Sequence, residues 1–88
     1  MSSTNEPTRS VVIGGVDTHK DLHVAAVVDH QDRVIGSRSF ASTRQGYRQL
    51  LAWMRSFGEL RRVGVESTGS YGAGLLRFLQ QAGVMVLE

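Results

Sequence analysis

Two acidic residues stand where strand-like runs end. Asp17 follows the apolar run Val11 to Val16, and Glu66 closes the short run that begins at Val63. Carboxylates are hard oxygen ligands of the kind that suits Mg²⁺ or Mn²⁺. If the two strands are parallel neighbours, their ends lie about 5 Å apart, and both acids open on one space beyond the sheet. Ligands of open α/β sheets favour that place. A pair of metals held there can activate a nucleophile and stabilise a leaving oxygen in phosphoryl transfer. Read singly, each acid equally well caps a turn. It is their expected convergence that argues for chemistry.

Other polar groups flank these acids. His19, Lys20, Asp21 and His23 follow the first one, and His30 lies in the next turn. This histidine spacing matches no zinc geometry, so ordinary surface histidines are expected. Lys20 has reach enough for a phosphate or a metal-bound oxygen near Asp17, or is simply solvated. Ser67 to Gly72 links the second acid to a helix start, where free N–H groups can receive an anion. It lacks the glycine and lysine pattern of a P-loop. A tight turn with Ser70 as helix cap accounts for the same residues. Tyr71 either stacks on a base or packs against the sheet end.

The elements that must position these residues follow from periodicity. Val11 to Val16 and Val24 to Val28 are apolar and β-branched, as buried strands are. Thr18 to Leu22 is short and polar, as a hairpin loop is, and His30 to Asp32 makes a second turn. Arg33 to Phe40 reads as a third, wetter strand nearer an edge. Ser42-Thr43-Arg44-Gln45 has the form of a capping box. Behind it Tyr47, Leu50, Leu51, Met54 and Phe57 repeat at helical spacing, and Gly58 is a stop. Trp53 falls in the same core. Arg48 and Arg55 share a face of this helix that is expected to be solvated. Val63 to Glu66, a helix over about Tyr71 to Ala82, and Val84 to Leu87 complete the order β-β-β-α-β-α-β. Leu75, Leu76 and Leu79 form the second helix's apolar stripe, and Gly83 ends it.

This is the order that opens a ribonuclease-H-like α/β fold, a mixed sheet with strands arranged 3-2-1-4-5. Spacing alone also allows strand four beside strand three. In the 3-2-1-4-5 order both crossovers travel the same way, and right-handedness puts both helices on one face. Strands one and two are apolar on both sides and belong in a sheet covered on both. The other face is therefore expected to need a missing C-terminal segment, a partner or a second copy.

The bulk numbers set limits. The chain has 88 residues, enough for one domain at most. Residues 1–10 are polar with no apolar core and read as a disordered tail, with residues 11–88 as the front of the domain. No apolar run approaches the ~20 residues of a membrane helix. There is no cysteine, which removes disulfides and thiolate sites and fits a cytoplasmic setting. Nine of the ten basic residues are Arg, but the net charge is only +2. Charge thus permits a nucleic-acid partner without demanding one.

Gly-Val-Asp-Thr-His-Lys-Asp at 15–21, Thr-Arg-Gln-Gly-Tyr-Arg-Gln-Leu-Leu-Ala-Trp at 43–53 and Val-Gly-Val-Glu-Ser-Thr-Gly-Ser-Tyr-Gly at 63–72 together resemble one family. It is that of the insertion-sequence-110 transposases, which have a RuvC-like catalytic domain with a DEDD set of acids. The resemblance covers nearly everything after the polar tail. It implies that Asp17 is the first D and Glu66 the E, holding Mg²⁺ or Mn²⁺. It implies DNA and a structured guide RNA as partners, with Lys20 and the loop carrying Thr68, Ser70 and Tyr71 near the nucleic acid. It implies a protein of the cytoplasm, at the nucleoid when acting. The family's other two aspartates and its serine nucleophile come later in its chains and are not among these residues. Two acids cannot build a two-metal site, so this chain is expected not to cut DNA alone. Two rival readings remain. A non-catalytic transposase remnant would act by binding or self-association. An actin-like ATPase shares the strand order, but its first hairpin carries Asp-x-Gly-Thr where this chain has Asp17-Thr18-His19-Lys20.

Overall fold

A computed structural model describes residues 10–66 and 70–88. Residues 1–9 of the proposed tail and three residues of the 67–71 loop lie outside the described residues. Seven elements run in the expected order: β1 (Val11–Thr18), β2 (Leu22–Val28), β3 (Val34–Ala41), α1 (Arg44–Arg55), β4 (Glu59–Glu66), α2 (Ala73–Gln81) and β5 (Val86–Leu87). They form one five-stranded sheet of order β3-β2-β1-β4-β5. β1 pairs antiparallel with β2 and parallel with β4; β3 is antiparallel to β2, and β5 parallel to β4. This is the mixed α/β sheet of the ribonuclease-H-like, RuvC-like fold. β4 lies beside β1, so the alternative place beside β3 is excluded.

Period-two alternation explains the core. On β1, Val12, Val16 and Thr18 are buried while Val11, Ile13 and Asp17 are not. His23, Ala25 and Val27 are the buried positions of β2. These meet Leu50, Leu51 and Met54 of α1 and Leu75 and Leu79 of α2. Leu50, Met54, Leu75 and Leu79 are fully buried, each stabilising by roughly 1.5–3 kcal/mol relative to exposure. Tyr47 of α1 meets Phe78 of α2 with ring centroids 5.9 Å apart, so both helices cover the same face. Phe40, Trp53 and Phe57 continue that layer over the β3 edge, with Trp53 edge-on to Phe57. No part of the described chain covers the opposite face. No helix of the described residues is long and apolar enough to cross a membrane.

Several boundaries differ from the sequence reading. β4 begins at Glu59, four residues before Val63, because its polar first half pairs with β1 alone. The Ser42 capping box does not form. Thr43 is the N-cap, its hydroxyl accepting from the Gly46 N–H at 3.0 Å. Ser70 is not the cap of α2 either; that position is Gly72, and Ser70 instead lends its carbonyl to the Ala73 N–H. The second helix buries Leu75 and Leu79, with Leu76 only half-buried. Gly83, at φ +80°, ends the helix as expected.

The entry to α1 leaves no room for a side chain. A Cβ on Gly46 would collide with the carbonyl of Ala41, the last residue of β3. The absent side chain lets the helix start directly against the strand it leaves. Gly46→Ala is therefore expected to destabilise the chain by about 1–3 kcal/mol, the range for forced overpacking. Chemical denaturation checks this; an unchanged midpoint would show that the strand end gives way freely.

Candidate functional site

The C-terminal ends of β1 and β4 form the site, and their relative phase decides what it contains. The parallel ladder pairs Val12 with Leu60, then Ile13 with Arg62, so the register slips one residue at Arg61. Leu60 and Glu66 are six apart and would share a face in a regular strand. With the slip, Leu60 joins the helix-covered core, whereas Glu66 falls on the bare face opposite Asp17. The extra residue is a β-bulge that re-aims the second half of the strand. Its sequence signal is faint: two adjacent arginines in a half-polar strand.

Asp17 and Glu66 are thus direct partners in the ladder, at adjacent strand ends and on one face. Both are exposed. Thr18, buried beneath them, donates its hydroxyl to the Glu66 carbonyl at 3.3 Å and ties the two strand ends together. His19 Nε2 lies 3.2 Å from Asp17 Oδ2, with both side chains more than half exposed. Such a contact in water contributes little to stability.

Behind the acids lies a trough of about 640 Å³ on the bare face. Its floor is Gly15 paired with Gly64, flanked by Val24, Ala26 and Leu87. A Cβ on either glycine would meet nothing within 4 Å. The floor is therefore smooth backbone, open from above, and the acids stand at its end. Two carboxylates suit one hard cation that keeps several waters, as Mg²⁺ does. Among the described residues no group of three or more acids and histidines converges as a metal cage. The two acids fit part of a metal site.

The other residues singled out by sequence are distributed as follows. Lys20 is exposed in the turn after β1. Ser70 and Tyr71 are exposed in the turn before α2. Thr68 lies outside the described residues. His23 corrects the expectation of surface histidines. Counting by twos from Val27 and Ala25 puts it on the covered face, where it is fully buried. Its ring stacks on Tyr47 at 5.9 Å and is nearly parallel to it. The His19 N–H donates to its Nδ1 at 3.4 Å, which leaves the proton on Nε2. That atom has no partner among the described residues. Burial, chiefly, holds the His23 pKa below its ordinary value, aided by the nearby His19 and opposed by a backbone hydrogen bond at Leu22.

The sequence pattern of a DEDD transposase family, that of the insertion-sequence-110 elements, described as "Transposase", matches residues 14–88. No curated protein matches the chain. Among solved structures, the chain is similar to Pelota of Archaeoglobus fulgidus, with a TM-score of 0.57 and 17% identity. That alignment covers 93% of this chain and 27% of the Pelota chain. At this identity the likeness is one of fold alone.

The buried His23 generates a pH prediction. Its folded pKa lies below the ordinary 6.5, so the unfolded chain binds more protons. Its contribution is intact above about that pH and is lost as pH falls through the folded value. Stability should therefore drop between pH 7 and pH 5, at no more than ~1.4 kcal/mol per pH unit for one proton. His23→Phe should flatten the profile. An identical slope in that variant would assign the effect to other groups.

Proposed function

The chain belongs to the insertion-sequence-110 family of DEDD transposases, and from that premise we propose that Asp17 and Glu66 are half of the metal site that cuts and rejoins DNA. The single observation that carries this reading is the direct pairing of the two acids across the β1–β4 ladder. A cap role would require neither acid to face the other. Here a one-residue slip turns Glu66 to the same side as Asp17, away from the core.

Asp17 and Glu66 would hold Mg²⁺ or Mn²⁺ through carboxylate oxygens, leaving positions for water and for phosphate oxygens. The bound metal would supply Lewis acidity for phosphoryl transfer. Thr18 keeps the two strand ends at fixed separation, which positions the acids before any ligand arrives. His19 competes for Asp17 from the solvent side and so limits how the carboxylate can turn. Lys20, three residues beyond Asp17, and the 67–71 loop, with Thr68, Ser70 and Tyr71, flank the two strand ends along the chain. They are proposed to contact the nucleic acid. The smooth glycine floor lets a strand approach closely.

Residues 11–88 then form the N-terminal part of the catalytic domain, after a tail at residues 1–10. A structured guide RNA is a further partner on the same family ground, and the action takes place at the bacterial nucleoid. The bare apolar face favours self-association, which is also what the non-catalytic reading would use. With two of the four acids the chain binds metal but cuts no DNA.

Calorimetry with Mn²⁺ tests this. The chain should bind one ion, and Asp17→Asn and Glu66→Gln should each weaken binding by about tenfold or more, ~1.4 kcal/mol. With Mg²⁺ present it should leave element-end DNA uncut. Equal affinity in both variants would remove the metal role. Metal-dependent cutting by this chain would overturn its assignment as half a site.

A further inference from the structure

A second candidate site lies on the helix-covered side, away from the acids. Between α1 and α2 is a pocket of about 250 Å³ lined by Arg44, Tyr47, Gly74, Arg77, Phe78 and Gln81. No carboxylate lines it. Neither arginine has an ion pair or hydrogen-bond partner among the described residues, whereas Arg33 and Arg61 both have acidic partners. Two cations on facing helices repel each other unless an anion sits between them. Nothing in the core requires that arrangement, since both side chains are exposed.

The pocket is built rather than accidental. The Tyr47 ring is fixed between His23 and Phe78, at 5.9 Å from each. Gly74 gives its hydroxyl room: a Cβ there would sit 2.7 Å from the oxygen. That hydroxyl makes no hydrogen bond to a described residue, which leaves it free to donate to a ligand. Gln81 adds amide donors at the far end. Arginine forks, a phenol and an amide together form a donor set for phosphate oxygens. The volume falls below the ~300–1,000 Å³ of small-molecule pockets. It suits a phosphate and its ester arms rather than a whole nucleotide.

We propose that this groove binds a phosphate of a nucleic-acid strand, with Arg44 and Arg77 on either side and the Tyr47 hydroxyl donating from the floor. Arg44 opens α1 at the end of the sheet where β1 finishes, because β3 runs parallel to β1. A strand held there passes the same end of the domain as the acids. The inference rests on the reading that nucleic acid is the partner, but not on the acids themselves.

Fluorescence polarisation with a labelled single-stranded 20-mer, across a salt series, tests it. Each phosphate contact contributes about 0.7 to the log–log salt slope for single strands. Arg44→Gln with Arg77→Gln should lower the slope by about that amount and weaken binding by about fivefold or more at low salt. Both side chains are exposed, so the double variant should melt as the parent does. The same loss should appear with and without Mg²⁺, which separates this site from the acid pair. An unchanged slope in the double variant would overturn the proposal. So would an equal loss in Arg61→Gln, which would mean diffuse attraction. If inorganic phosphate at the same phosphate concentration displaces the oligonucleotide, the pocket is a free-anion site and the strand assignment fails.

Discussion

The phase of the β1–β4 ladder is the constraint on which the rest depends. A strand offers two faces, and a single added residue exchanges them. In β4 the first half must pack Leu60 against the core, and the last residue must stand clear of the core with Asp17. No regular strand satisfies both. The slip at Arg61 does, and it costs the ladder only a local break near the start of β4, away from the ends that carry the acids. Everything at the candidate site follows from it: two acids side by side, a backbone floor of paired glycines, and a hydroxyl beneath that fixes the strand ends.

The two faces of the sheet then carry different duties. The helix side holds the whole core, with Leu50, Met54, Leu75 and Leu79 sealed from water. The other side is apolar but bare, and Leu87 and Met85 near its β5 edge stay exposed. A face of this kind favours contact with another surface. The helix side has its own opening between α1 and α2, where cations rather than acids gather. The two proposed roles divide in the same way: the acids on one face for a metal, the arginines of the α1–α2 pocket on the other for a phosphate.

Much of this was legible in the sequence because the early elements are strongly periodic. The two apolar runs, the short polar loops between them and the helical spacing from Tyr47 to Phe57 led to the element order and, with crossover handedness, to the strand order. Both helices lie on one face of the sheet, as expected. Asp17 and Glu66 were visible because each ends an apolar run. The bulge was not visible, since Glu59 to Arg62 is polar and alternation fades there. The caps were misplaced by one or two residues because Ser42 and Thr43, like Ser70 and Gly72, offer nearly equivalent starts. Here contacts settle the matter: the close approach of Gly46 to Ala41 puts Thr43 at the cap. His23 was misread as a surface residue by its type, although the period of two from Val27 already assigned it to the core. The pocket of Arg44 and Arg77 could not be read at all, since it depends on the packing of two helices some thirty residues apart.

The central claim is that the ladder makes Asp17 and Glu66 one ligand set. A titration with Mn²⁺ followed by amide NMR tests it most directly, because a paramagnetic ion broadens the signals nearest to it. The account predicts that amides at the ends of β1 and β4, around residues 17 and 66, broaden together at the lowest metal concentration. They should do so before those of the acidic β2–β3 turn around Asp29 and Asp32. Broadening that begins at that turn, or at only one of the two strand ends, would contradict it.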